Sequence, residues 1–207
     1  MRVLAIAAFA ASALFGQYSV APTGAPPSEL ATPIGSLLNK DGMKVTGPNG
    51  VYIEVWTVAK LPTGPASTES NVTLTMIPVG SVLGAVRFAG TAMDRRGQTI
   101  KPGVYTIRYA NFPINGDHQG VAPQRDFVVM SPAATDTDPK LPADFDALMN
   151  LSRKTTGTPH PAVLSIWRQD SDFKPGTLHK EGENDWVWQT KIGDAPIAMI
   201  LIGKAAD

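Results

Sequence analysis

The chain has 207 residues, with 18 Lys and Arg balanced by 18 Asp and Glu, no cysteine, 19 glycines and 18 prolines. A chain of this length removes roughly 70% of its extended surface from water, so one domain can fold without disulfide support. The balanced charge excludes a protein that works by broad electrostatic attraction to nucleic acid or anionic lipid, which requires clustered Lys and Arg.

The first residues, MRVLAIAAFAASALFG, place a single cation at Arg2 before an apolar run from Val3 to Ala11, with small residues at Ala11 and Ala13 in an A-x-A pattern. This predicts a signal peptide over 1–16, and the run is too short to span a bilayer as a helix. With no cysteine to carry a lipid anchor, the product is expected to be periplasmic or secreted, with no membrane span in its mature form. Residues 17–40 are expected to form a flexible leader. Its stretch QYSVAPTGAPPSELATPIGS, 17–36, is rich in Pro, Ala, Gly, Ser and Thr. The single domain then covers 41–207.

From Met43 onward, short alternating runs are separated by Gly, Pro, Asn and Asp, the pattern of strands and turns. Residues 43–46 precede Gly47-Pro48-Asn49-Gly50. The run VYIEVWTVAK that follows sets Val51, Ile53 and Val55 on one face against Tyr52, Glu54 and Trp56 on the other, so a hairpin is predicted. VTLTMI at 72–77 alternates as a strand with Val72, Leu74 and Met76 inward. Further strands are predicted at 82–88, 91–94, 104–110, 126–131, 162–167, 185–192 and 196–202. One segment, LPADFDALMNLSRKT, reads as a helix. Pro142 opens it, Asp144 and Asp146 complement its positive end and Arg153 and Lys154 its negative end, while Phe145, Leu148, Met149 and Ser152 form the buried stripe. Many short strands with one short helix predict an all-β fold, an antiparallel β-sandwich of immunoglobulin-like character, with a small barrel as the alternative.

The chain contains no G-x-S-x-G elbow, phosphate-binding glycine loop, H-E-x-x-H motif or cysteine nucleophile. A triad assembled from loops would have to draw on His118, His160 or His179. The acidic run at 135–139, TDTDP, lacks the spacing of a Ca²⁺ loop and reads as a turn.

Residues 100–130 hold the most informative pattern. Lys101-Pro102-Gly103 opens a strand, the polar loop Asn115-Gly116-Asp117-His118-Gln119-Gly120 follows, and a Phe-led strand comes next. Pro-Gly-x-Tyr-Thr, a strand, a loop with Gly, Asp and His, and a Phe-led strand together resemble the C-terminal half of the periplasmic copper-resistance domains, which are small immunoglobulin-like sandwiches. The resemblance implies that His118, with Asp117, helps hold Cu(II). The family shows Asp-Gly-His where this chain has Gly116-Asp117-His118, and neither Leu14 nor Gln17 supplies the N-terminal histidine that completes the family's site. Imidazole and carboxylate suit Cu or Zn, and His160, between Pro159 and Pro161, is a third candidate ligand. The other reading of Asp117 and His118 is a plain loop turn, in which case no cofactor is expected.

Trp186 and Trp188 fall on one face of a predicted strand. If that face is solvent, they form a platform for sugar rings or partners; if it is interior, they are packing. The candidate ligand-binding residues are thus Asn115, Asp117, His118, Gln119, Trp186 and Trp188. The reading these residues support is an exported, non-catalytic binding or interaction module for an envelope ligand or protein, presenting the loop 111–125 and the loop around His160. A copper or zinc protein and a loop-assembled hydrolase are the alternatives.

Overall fold

The computed structural model describes residues 18–113 and 124–205. Within them the alternating runs form β1 (Ser19–Thr23), β2 (Gly42–Gly47), β3 (Gly50–Thr57), β4 (Val82–Phe88), β5 (Ala92–Met93), β6 (Thr99–Ile100), β7 (Gly103–Asn111), β8 (Asp126–Pro132), β9 (Ala162–Arg168), β10 (Thr177–Glu181), β11 (Asp185–Ile192) and β12 (Ala195–Ile202). Helix α1 (Thr32–Gly35) is a single turn, and α2 (Phe145–Thr156) is the helix predicted from its terminal charges and apolar stripe, opened by the Asp144 cap rather than by Pro142, which lies outside it.

Ten strands pair antiparallel in the order β1-β2-β3-β4-β7-β8-β9-β12-β11-β10, and β5 pairs with β6 apart from them. The last three strands run as a meander that brings β12 back beside β9, a Greek-key return. The sheet folds over until its end strands β1 and β10 touch. The protein is therefore all-β, antiparallel and sandwich-like, with one nearly closed ladder supplying both layers.

The inner faces meet in the main core. Ile53 and Val55 of β3 lie opposite Phe88 and Val86 of β4, and Ile107 and Tyr109 of β7 lie opposite Met130 and Val128 of β8. Leu164 and Ile166 of β9, Met199 of β12 and Trp188 of β11 continue the same interior. Several strands are also covered outside, which is why VLGAVRF in β4 and VYTIRYA in β7 are buried along nearly their whole length. A strand with two dry faces reads as a largely apolar run, and the two polar side chains within this part of β7, Thr106 and Arg108, are themselves buried.

Part of that outer cover is the stretch expected to be a flexible leader, and the structure corrects this. Val20 pairs with Val45 across the β1–β2 ladder, and Ile34 is completely buried, with Leu30 and Leu38 beside it. The Trp56 indole donates to the Gly24 carbonyl at 2.7 Å. Gly42 leaves that ring its space, since a Cβ there would stand 2.5 Å from Trp56 Nε1. Proline-rich composition signals a lack of helix, but it does not prevent an extended segment from adding an edge strand and folding back over the sheet.

The segment 72–77 is a second correction. It turns rather than pairing: Leu74 and Ile77 are buried, Val72 is only half-buried and Met76 is exposed. The cause is the fully buried Asp126, whose carboxylate accepts from Thr73 N at 2.7 Å, Thr73 Oγ1 at 2.9 Å, Leu74 N at 3.1 Å and the Tyr109 hydroxyl at 2.5 Å. Backbone N–H groups that would feed a ladder feed a side chain instead. Burial, then the neighbouring Asp126, raises the Tyr109 phenol well above its ordinary value. Two short strands, β6 and β10, also form where no strand is predicted, and His179 lies on β10 opposite Val187.

The packed leader makes a stability prediction. Ile34→Ala is expected to lower unfolding free energy by about 2–5 kcal/mol in a urea titration. An unpacked leader would give a change within about 0.5 kcal/mol.

Candidate functional site

Outside the main core, α2 lies across β8 and β9. Its first turn is fixed by Asp144, whose carboxylate accepts from Ala147 N at 2.7 Å, and it stops at Gly157 in the left-handed region with φ 68°. Leu148 and Met149 pack on Phe127, Val129 and Val163 in a small second core with Ala110 and Phe112. Phe145, predicted in that stripe, is instead 40% exposed. As the first residue of the helix it stands at the edge of the face that Leu148 and Met149 bury.

That edge opens into a cavity of about 120 Å³. Phe112 and Phe127 stack in its lining, with ring centroids 4.3 Å apart and an interplanar angle of 10°. Phe145, Met149 and Val163 add apolar wall, and Pro113, Pro159 and Pro161 stiffen the chain around it. Three cationic or protonatable side chains, Arg96, Arg153 and His160, share the lining with one carboxylate, Asp146. The described lining residues include no hydroxyl, thiol or amine side chain.

Two polar devices place the charged lining. The Arg153 guanidinium donates from Nε to the Pro159 carbonyl at 2.7 Å and from Nη1 to Asn150 Oδ1 at 2.5 Å, pinning the Pro159-His160-Pro161 turn to the helix. Asp94, fully buried, accepts from Arg96 N and Gln98 N on one oxygen, and from Gln98 Nε2 and Val163 N on the other. The turn carrying Arg96 is thereby tied to the first residues of β9, and Gly97 with φ 78° closes it. Burial raises the Asp94 carboxyl above its ordinary value, while the four hydrogen bonds pull it down. The charged turn around Arg95-Arg96-Gly97 is visible in the sequence. Its organising residue is the aspartate before it.

Of the residues singled out from sequence, Asn115, Asp117, His118 and Gln119 lie outside the described residues. His160 is at the cavity with its ring exposed. Trp188 is buried in the main core, so it cannot serve as a platform; its face is interior. Trp186 is half-buried, edge-to-face with Tyr18 at 5.1 Å between centroids. Among the described residues no group of three or more His, Asp or Glu side chains is placed to hold a metal. No described helix is long and apolar enough to cross a membrane. Sequence reasoning missed the aromatic cavity, whose signal is split between Phe112, Phe127 and the helix that begins at Phe145.

No family model, curated protein or solved structure matches the chain.

The Asp94 geometry carries its own prediction. In Asp94→Asn, whichever way the amide turns, two buried N–H donors face its NH₂ group. A loss of about 1–3 kcal/mol is expected at neutral pH by denaturant titration. In the wild type the folded state holds the Asp94 proton more tightly than the unfolded state. The group's contribution to stability therefore falls as pH rises from the ordinary carboxylate value through the raised one. The same titration repeated across the acid range should show this slope reduced in the variant.

Proposed function

We propose that the chain is an exported, non-catalytic binding module whose site is the cavity between α2 and the outer faces of β8 and β9. The single observation that carries this reading is the pairing of a small, largely aromatic cavity with a lining that holds Arg96, Arg153 and His160 against one carboxylate. A cavity of roughly 150 Å³ accommodates a benzene ring, so 120 Å³ suits a compact apolar group such as one small ring or a branched side chain. The surplus of cationic groups favours a ligand that joins that group to an anion.

Phenylacetate and its neutral counterpart phenylacetamide separate the two parts of the proposal. In an NMR titration, phenylacetate should shift the His160 ring signals and the Phe145 amide saturably, and phenylacetamide should bind more weakly. Phe145→Ala, at an exposed position, should weaken phenylacetate by about tenfold, a loss of about 1.4 kcal/mol. Shifts that do not saturate, or that fall elsewhere on the protein, would reject the site, and measured turnover of a bound compound would reject the non-catalytic reading.

A copper or zinc role is the second reading. It draws support from Pro113 and His160 lining one cavity, because the sequence reaches Asp117 and His118 within five residues of Pro113. Calorimetry with Cu(II) on wild type, His118→Ala and His160→Ala tests it. Weaker binding in both variants is expected, and equal affinities in all three proteins would end it.

A further inference from the structure

A second cleft, of about 330 Å³, lies at the far end of the β2–β3 hairpin, where the chain also passes from β4 to β5. It shares no lining residue with the cavity beside α2. The hairpin turns through Pro48 and Asn49, with Gly47 paired to Gly50 and Gly50 at φ 98°. This turn is short and bears no bulky apolar side chain, so the wall it forms is low.

The cleft's chemistry is selective. In a chain with 36 formally charged side chains, none of the described residues lining this cleft is charged. Its aromatic surface comes from Tyr18 and Tyr52, whose rings meet edge-to-face at 6.1 Å and are both half-buried. Tyr18 lies across the backbone of Gly47 so closely that any Cβ there would collide with the ring. On its other side, Trp186 holds it at 5.1 Å. The ring is thus fixed from two directions. Around it stand the Tyr18 hydroxyl, the Asn49 amide and the Thr91 hydroxyl, none of them bonded to another described residue.

We propose that this cleft binds an uncharged saccharide. A sugar ring presents apolar C–H faces and a rim of hydroxyls that both donate and accept. Fixed aromatic surface with neutral, two-way hydrogen-bonding groups and no charge is complementary to that combination. An anionic or cationic ligand would be desolvated here without a counter-charge. The volume sits at the low end of the roughly 300–1,000 Å³ typical of small-molecule sites, which suits one or two sugar rings. The proposal does not depend on the role assigned to the cavity beside α2.

The test titrates the full chain with glucose, galactose, mannose, N-acetylglucosamine and their β-linked dimers, with glucuronate as the charged control, following Trp186 fluorescence and heat. Gly90→Leu supplies the blocked variant: Gly90 is exposed, avoids the left-handed region, and a Cβ there meets no atom within 4 Å, so the added side chain fills cleft rather than core. At least one neutral sugar should bind saturably, about tenfold or more weaker in Gly90→Leu, and unchanged in Phe145→Ala. The proposal is overturned if no neutral sugar binds, if glucuronate alone binds, or if Gly90→Leu binds as the wild type does. Loss of sugar binding in Phe145→Ala would instead assign it to the cavity beside α2.

Discussion

The arrangement of the outer layer depends on one buried guanidinium. Arg108 sits in the middle of β7, 1% exposed, on the strand face that points away from the main core. All five of its N–H donors are used. Nε and one Nη2 hydrogen reach the two oxygens of Asp136 at 2.7 and 2.8 Å, the other Nη2 hydrogen reaches the Asp138 carbonyl at 2.5 Å, and Nη1 reaches the carbonyls of Gly80 and Lys140 at 2.7 and 3.0 Å. Thr106, two residues earlier on the same face, donates to the shared Asp136 oxygen at 2.5 Å. A buried pair of this kind adds little net stability over an apolar substitute, but losing one partner strands the other charge without water, so the arrangement specifies a single conformation. What it specifies here is the path of residues 132–141, which deliver the chain into α2. The helix cannot shift along β8 and β9 without dragging a segment tied to the centre of the sheet.

Asp126 and Asp94 repeat the device at two other places. Each is a fully buried carboxylate that gathers backbone N–H groups from a neighbouring turn and anchors that turn to a strand. Asp126 ties residues 73–74 to β7 through the Tyr109 hydroxyl, and Asp94 ties the Arg96 turn to β9. The Arg96 turn, held by a side-chain carboxylate, has few conformations left to lose, so a ligand of the kind proposed would not first have to order it. The surroundings of the cavity therefore follow from the same polar bonds that fold the outer layer.

Local pattern made the strands readable, and its silence on distant partners explains the failures. β3, β7 and β11 follow from alternation, and α2 follows from its apolar stripe and terminal charges, because those signals lie within a few residues of the structure they produce. VTLTMI alternates equally well, yet Asp126, some fifty positions away, takes its N–H groups. β1 escapes notice because only Val45 and its neighbours, across a long connection, give Val20 a partner. TDTDP reads as a turn, yet only Thr135 belongs to one, and residues 136–139 run on as irregular chain. The ion pair that makes Asp136 indispensable lies with Arg108, 28 residues earlier. The tryptophans illustrate the same limit: period two puts Trp186 and Trp188 on one face, and only the closure of the sheet decides that the face is interior.

Closure of the sheet also decides where binding can happen. A nearly closed antiparallel sheet encloses either a ligand chamber or a packed core, according to the size of the side chains that point inward. Here Phe88, Tyr105, Tyr109, Met130, Met199 and Trp188 all point inward, and the interior is filled by protein. Open clefts are left to the second layer and to the rims, where strands end and glycine or proline turns keep the walls low. The aromatic cavity beside α2 and the tyrosine cleft at the β2–β3 hairpin are places of this kind. The chemistry of each comes from residues the core does not need: arginines and a histidine in one, neutral hydroxyl and amide groups in the other. If the two sites bind as proposed, a substitution at either would change the ligand while leaving the ladder beneath it intact.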